Sequence, residues 1–496
     1  MAEERNAPED AMAQHRRALG RGFNWLGGAT IIAKVTDFST ILVVLLFLSK
    51  QQVGIGSLVV SIGMVVEAFD GLGTGDALVQ ARSVTRRQLD SLFWFILGAA
   101  AVVAALTLAA APAVQAIYGV PGMAAYFIAV AAKQPLVGAA VIPLARLNRA
   151  LRYERIAVVN VGATFGAALA RAGIALAGGG AWALVGGYAA SGVFILAGAL
   201  LVSPFRPRLR FNMAEIAPLL HFGLRSSSAN IFEQIFKNID FLLVGWFYGA
   251  APLAVYRVAF DVAMEPAMAI GTIINRTALP VFARAAAVPE HLTGALLWSL
   301  QRLTVLNAPL MAGILLLAAP LTGLLHDSQG HSYAAAALPM QILALAAIFR
   351  ITSQLLTPVL LATGQPGRAA RLSAATLALL GTGILAAGLS FPARTGIIAV
   401  SAVWLAVYPL LLGWGMLYLY RHWKIRPGAL ARPFLAPGLG IAIMLLGAET
   451  ARHFAAPYGP EVQIGIVLTA TLLTYGGLSL HARMAQHAAV AVAPQA

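Results

Sequence analysis

The sequence contains no cysteine, and only 11% of its 496 residues are charged. Without cysteine there is no disulfide, no thiol nucleophile and no thiolate ligand for a metal. A soluble domain usually carries about 25% charged residues to cover its exterior. Here 59% of residues are apolar, so a water-facing surface for so long a chain cannot be assembled. Lipid must be the solvent for most of it. Lysine is scarce too: Lys34, Lys50, Lys133, Lys237 and Lys424 are the whole set. No GxxxxGK[ST] pattern occurs, which excludes ATP hydrolysis by this chain. The histidines are scattered, with no HExxH or comparable metal spacing. The longest connectors on the charge-poor side run to only about 10–14 residues. A membrane polymerase or ligase needs a larger outer loop bearing catalytic groups, so no enzymatic activity is expected.

What is present is a succession of apolar segments at 22–48, 53–80, 90–111, 121–144, 155–177, 181–203, 215–248, 252–282, 296–320, 334–363, 367–389, 394–420, 433–452 and 461–481. A span needs about 20 apolar residues, so the pattern predicts an all-α membrane protein of about fourteen transmembrane helices. Residues 1–21 mix acids with bases, the pattern of a tail rather than of a cleavable signal peptide.

The net charge of +15 is a topology signal. Arg82, Arg86 and Arg87, then Arg146, Arg149, Arg152 and Arg155, then Arg206, Arg208 and Arg210 all fall on one side. Arg284, Arg368, Arg371, Arg421, Lys424, Arg426, Arg432 and Arg483 join them. With the N-tail, that side collects about 22 bases; the other has Lys50, Arg394 and Arg452. Positive loops stay inside, so both termini are expected in the cytoplasm of a multi-pass protein of the bacterial inner membrane. A nucleic-acid partner is excluded by this distribution, whereas anionic lipid heads are a compatible one.

The chain also resembles itself at an offset of about 200 residues. Thr40–Leu48 lies over Asp240–Tyr248, and Leu108–Pro112 over Leu316–Pro320. Partners cross in the same direction, which predicts two parallel six-helix repeats, 22–203 and 215–420, joined by a basic linker at 204–214. Two further helices over 421–481 lie outside the repeat, and 482–496 is a cytoplasmic tail.

The run Asn238–Ala251 (NIDFLLVGWFYGAA), then Leu253–Tyr256, Arg257–Phe260, Pro266 and Ala278–Arg284, resembles the seventh and eighth helices of Wzx-type polysaccharide flippases. These belong to the multidrug/oligosaccharidyl-lipid/polysaccharide (MOP) transporter superfamily. Leu147–Glu154 resembles their loop after the fourth helix. The resemblance implies two six-helix bundles around a central cavity and alternating access. It also implies a polyprenyl-pyrophosphate-linked oligosaccharide as substrate, for lipopolysaccharide or exopolysaccharide synthesis, with a polymerase or export partner nearby. A multidrug exporter or a lipid II flippase of the same superfamily is the alternative, and an oligosaccharide polymerase a more distant one.

Ionisable residues inside the spans are the candidate site. Each costs roughly 2.5–3.5 kcal/mol at a helix centre, so they line an aqueous interior or pair there. Lys34, Lys133, Arg225, Lys237, Arg257 and Arg350 are the candidates for an anionic head group, since a pyrophosphate needs several donors at once. Asp37, Glu67, Asp70, Glu233, Asp240, Asp261 and Glu265 are candidates for charge pairing or for a coupling H⁺ or Na⁺; no other cofactor is expected. Glu233, Lys237 and Asp240 share a helix face by spacing, as do Arg257, Asp261 and Glu265, Lys34 and Asp37, and Glu67 and Asp70. Any single one serves equally well as helix glue; the set exceeds what packing requires. Pro135, Pro143, Pro218, Pro266, Pro309 and Pro339 are candidate points of helix breakage where a rocking transporter bends, although proline is also ordinary in membrane helices.

Overall fold

The computed structural model describes residues 27–423, 425, 427–455, 459, 461–470, 472, 473, 476, 477 and 480. The two tails, 1–21 and 482–496, lie outside the described residues. Apart from an isolated bridge between His326 and Ser332, the regular structure described is helical.

The chain divides into two compact units, Met1–Ala254 and Val255–Ala496. The first holds α1 (Gly27–Leu45), α2 (Lys50–Glu67), a 3₁₀ turn (Asp70–Gly73), α3 (Thr74–Gln80) and α4 (Arg86–Tyr118). It continues with α5 (Met123–Arg149), α6 (Tyr153–Leu176), α7 (Trp182–Val202) and α8 (Met213–Tyr248). α6 packs on α7, α4 and α7 on α5, and α2 lies between α7 and α8. α9 (Ala250–Ala285) leads into the second unit, which holds α10 (Pro289–Leu324), α11 (Ala337–Gln354), α12 (Leu356–Ala362) and α13 (Pro366–Ser390). α14 (Ala393–Trp423), α15 (Pro427–Ala455) and α16 (Glu461–Ala470) complete it. α11 is packed between α10 and α14. Ala312 and Leu316 of α10 form a buried cluster with Met444 of α15 and Val467 of α16, which docks the last two helices.

Local chemistry sets the helix ends. Ser49 and Gln52 close a capping box at the start of α2, and Thr85 with Gln88 does the same for α4. Asn212 caps α8 by accepting from the Ala214 N–H at 3.0 Å. α4 stops at Gly119, in the left-handed region at φ 63°.

Eleven helices among the described residues are long and apolar enough to cross a membrane. The protein is a multi-pass membrane protein. α8 and α9, each of 36 residues, are also long enough, but they carry much of the intramembrane charge. At 1.5 Å per residue each is about 54 Å long, against a hydrocarbon core of about 30 Å. Only the α16 portion of the last predicted segment is extensively described.

The candidate proline breaks are corrected by the structure. Pro135, Pro143, Pro218, Pro266 and Pro309 sit inside continuous helices, and Pro339 is in the first turn of α11. Membrane helices tolerate proline because neighbouring groups satisfy the freed carbonyls. The pronounced break falls instead in the second predicted span, at Gly71, Leu72 and Gly73, with φ of 65°, 45° and 67°.

Candidate functional site

The break in the second span comes directly after Glu67 and Asp70 and before Asp76. Glu67 ends α2, and Asp70 opens the 3₁₀ turn. The turn is pressed onto α8 backbone to backbone: a Cβ on Gly73 would lie 2.2 Å from the Gly223 carbonyl oxygen. One on Gly223 would lie 2.7 Å from that of Leu72. Thr74 Oγ1 donates to the Gly71 carbonyl at 2.5 Å, and Arg149 Nη1 donates to the carbonyls of Leu78 and Ala81 at 2.6 and 2.5 Å. The half-helix α3 is therefore held at both ends.

Around this break a charged cluster assembles from four elements. Lys133 of α5, 4% exposed, places Nζ 2.9 Å from Glu67 Oε2. The Tyr188 hydroxyl of α7 donates to the same oxygen at 2.8 Å. The ammonium also sits 3.5 Å from the centroid of the Tyr188 ring, a cation–π contact that helps replace its lost water. The Gln134 amide nitrogen donates to both oxygens of Asp70, to Oδ2 at 2.8 Å. Glycines open the space for these side chains. A Cβ at Gly192 would come within 2.8 Å of Lys133 Cγ, and one at Gly63 within 2.9 Å of the Tyr188 ring. A buried ammonium is thus matched to the partly buried Glu67 carboxylate, with Asp70 held beside them by Gln134.

Three further ion pairs follow. Asp37 of α1 meets Arg171 of α6 at 3.6 Å, and Gly187 leaves the room that the Arg171 stem occupies. Glu233 and Lys237 pair at 2.6 Å on α8, and Arg257 and Asp261 at 2.9 Å on α9, each at the i, i+4 spacing. The first of these is half exposed and the second largely buried. Asp240 departs from the shared face expected with Glu233 and Lys237: it is fully buried and accepts from the Phe241 N–H at 2.9 Å. Lys34 and Arg225 are exposed, and Glu265 is half-buried on α9. The side chains of Ser226 and Arg276 lie outside the described residues.

Arg350 of α11 is different. It is 5% exposed, yet its guanidinium rests on aromatic faces, 4.8 Å from the Trp404 centroid and 5.8 Å from that of Tyr408, both of α14. Phe260 of α9 packs edge-on against Trp404, and Nη1 lies 3.8 Å from the sulfur of Met264. Among the described residues no carboxylate pairs with Arg350. Rings hold the cation in position, and Nη1 donates one weak bond to the Met264 sulfur.

Sequence spacing pointed to the i, i+4 pairs. It missed Tyr188, Gln134, Phe260, Trp404 and Tyr408, which meet the charges only through tertiary packing. Gly63 and Gly192, which make room for the Tyr188 ring and the Lys133 stem, were the signals of close helix approach there. No group of three or more histidine or acidic side chains able to hold a metal occurs among the described residues.

A family model described as "Polysaccharide biosynthesis protein" matches residues 43–336. The teichuronic acid biosynthesis protein TuaB of Bacillus subtilis (strain 168) is 24% identical over 82% of this chain and 83% of its own length. The lipopolysaccharide biosynthesis protein WzxC of Escherichia coli (strain K12) is 23% identical over 59% of this chain and 60% of its own. The succinoglycan biosynthesis transport protein ExoT of Rhizobium meliloti (strain 1021) is 25% identical over 61% of this chain and 62% of its own. Among solved structures, the lipid II flippase MurJ in an inward closed conformation superposes with a TM-score of 0.71, covering 90% of this chain and 96% of its own at 13% identity. An inward-facing multidrug resistance MATE transporter of the MOP superfamily reaches 0.54, covering 81% and 94% at 14% identity. At such identities the superpositions establish a shared fold.

Proposed function

The chain belongs to the polysaccharide biosynthesis protein family, and from that premise we propose that it is a flippase rather than an enzyme. Its cargo in this reading is a polyprenyl-pyrophosphate-linked oligosaccharide, the repeat unit of an O-antigen or exopolysaccharide. Fourteen spans, both termini in the cytoplasm and two six-helix repeats working by alternating access complete the proposal. The prenyl tail stays in lipid while the charged head and glycan cross through the protein.

The observation that carries the reading is Arg350. A guanidinium buried among apolar helices without a carboxylate partner among the described residues is costly to retain, and its planar set of N–H donors, one of them weakly bonded to the Met264 sulfur, suits a multidentate anion such as a pyrophosphate. Lys133 and Arg257 are already committed to carboxylates, so they contribute to an anion only if those pairs open during transport. Lys34 and Arg225 are exposed on their helices and remain candidates for the same head group, as does the exposed Lys237 if its pair with Glu233 opens. Glu67 and Asp70, beside the break in the second span, are the proposed place for a coupling H⁺ or Na⁺, with Asp37, Glu233, Asp240, Asp261 and Glu265 as structural partners. A polymerase or export partner would receive the released glycan.

Complementation of a host lacking its own flippase tests this, at matched membrane levels. Wild type restores surface polysaccharide, Arg350→Gln abolishes it, and Arg350→Lys restores only part, because lysine keeps the charge but not the planar fork. Full rescue by Arg350→Gln would reduce Arg350 to packing. Failure of well-expressed wild type, together with efflux of cationic dyes, would favour the multidrug exporter.

A further inference from the structure

The ten residues between α7 and α8, 203–212, are fastened down rather than loose. Arg146 Nη1 donates to the Pro204 carbonyl at 2.9 Å, and an Arg86 guanidinium nitrogen donates to that of Arg206. The Arg208 N–H donates to Asp90 Oδ1 at 3.2 Å, and its carbonyl accepts from Trp94 Nε1 at 2.9 Å. The Asn212 N–H donates to Ser91 Oγ at 3.0 Å. Phe205, 5% exposed, is buried under the Arg86 guanidinium, 4.5 Å from its ring centroid. Every one of the linker's hydrogen bonds to α4 and α5 uses its backbone.

Its side chains point elsewhere. Arg206, Arg208 and Arg210 are exposed, and none pairs with an acid among the described residues. Alternating with them are Leu209, 88% exposed, Phe211, 59%, and Met213, 48%. The Arg210 N–H donates to the Arg208 carbonyl at 2.7 Å, so the segment turns at Leu209, and the exposed bases and apolar side chains alternate in sequence along one short anchored stretch that runs into α8 at Met213. The stretch joins the ends of two helices on the arginine-rich side, the level at which a bilayer changes from acyl chains to head groups.

We propose that residues 206–213 form a binding surface for anionic phospholipid. Leu209, Phe211 and Met213 enter the acyl boundary, and Arg206, Arg208 and Arg210 reach the lipid phosphates. Bases alone would suit any polyanion, and apolar residues alone any lipid. Their alternation on an anchored stretch at a helix end suits an anionic bilayer surface. The inference needs only membrane residence, and it holds whatever cargo the chain carries.

The absence of cysteine makes the test clean. Full-length Leu209→Cys carries one environment-sensitive fluorophore and is reconstituted in vesicles of phosphatidylcholine, with or without phosphatidylglycerol. Both leaflets have the same composition, so the direction of insertion is immaterial. With phosphatidylglycerol at low salt, the emission shifts to the blue and is quenched by lipids carrying a nitroxide near the head group. The shift is lost in phosphatidylcholine alone and at high salt. In the same protein with Arg206→Gln, Arg208→Gln and Arg210→Gln, the ratio of inserted to free stretch falls on the order of 100-fold at low salt. These changes spare the backbone bonds, and unchanged thermal unfolding checks that the linker stays fastened. Water-like emission in every vesicle overturns the proposal. So does an equal blue shift in both lipids and in the triple variant, which leaves an apolar contact indifferent to lipid charge.

Discussion

At the scale of single residues, the cluster around Glu67 separates structural from functional need. Lys133→Met alone leaves the Glu67 carboxylate without its ammonium and should destabilise the protein by about 3 kcal/mol. Glu67→Gln added to it removes the uncompensated charge and should restore most of that loss, since a neutral buried pair is often as stable as a charged one. Thermal unfolding in detergent reads the stability, and complementation reads transport. If the double variant regains stability yet fails to complement, the charges act in transport; if it also complements, they are glue. The spacing of Arg257 with Asp261 and of Glu233 with Lys237 was legible, because a helix fixes i, i+4 neighbours. Asp240 was misplaced by the same logic, because a face defined by spacing says nothing of what packs against it. Tyr188 and Gln134 were illegible: they reach Glu67 and Asp70 across 121 and 64 positions of sequence, and only the packing of α5 and α7 on α2 supplies the contact.

At the scale of elements, the broken second span is where sequence reading and structure part most clearly. Apart from Glu67, Asp70 and Asp76 the segment carries no charge, so hydropathy returns one unbroken span. The actual signal is Gly71-Leu-Gly73, and the turn is maintained because glycine supplies both the left-handed backbone and the absence of a side chain facing α8. Leu72 has no such freedom, and its φ of 45° costs about 1–2 kcal/mol that the packing around it must offset. A paired substitution tests the account. Gly119→Ala meets nothing within 4 Å and should cost only the left-handed penalty of about 1–2 kcal/mol. Gly73→Ala shares that backbone but drives a methyl into the Gly223 carbonyl, so its cost should exceed about 3 kcal/mol. Folded yield and thermal midpoint of the two purified variants distinguish them. Equal losses would mean that the break is not wedged against α8 in the folded protein.

At the scale of the whole molecule, hydropathy and charge divide the work of specifying the fold. Apolar runs located the helices within a few residues. α8 and α9, located to within three residues of their ends, nevertheless carry the charges that suggest function, because a functional span must depart from the apolar rule by which spans are recognised. Orientation rests on a different signal, the gathering of about 22 bases on one side. That asymmetry leaves little room for the inverted arrangement, in which many arginine-rich loops would have to be translocated. It predicts that Ser83, between α3 and α4, faces the cytoplasm and that Ser328, between α10 and α11, faces outward; both are exposed. Asp327 fixes the shape of the outer loop by accepting from the N–H groups of Gln329 and His331 at 2.9 and 2.8 Å, so Ser328→Cys should be presented without disturbing it. In intact cells, a membrane-impermeant maleimide should therefore label Ser328→Cys and leave Ser83→Cys untouched until the membrane is opened. Labelling in the opposite order would invert the protein. Labelling of both in intact cells would mean an even number of crossings between them, which the seven helices α4–α10 supply only if one of them fails to cross.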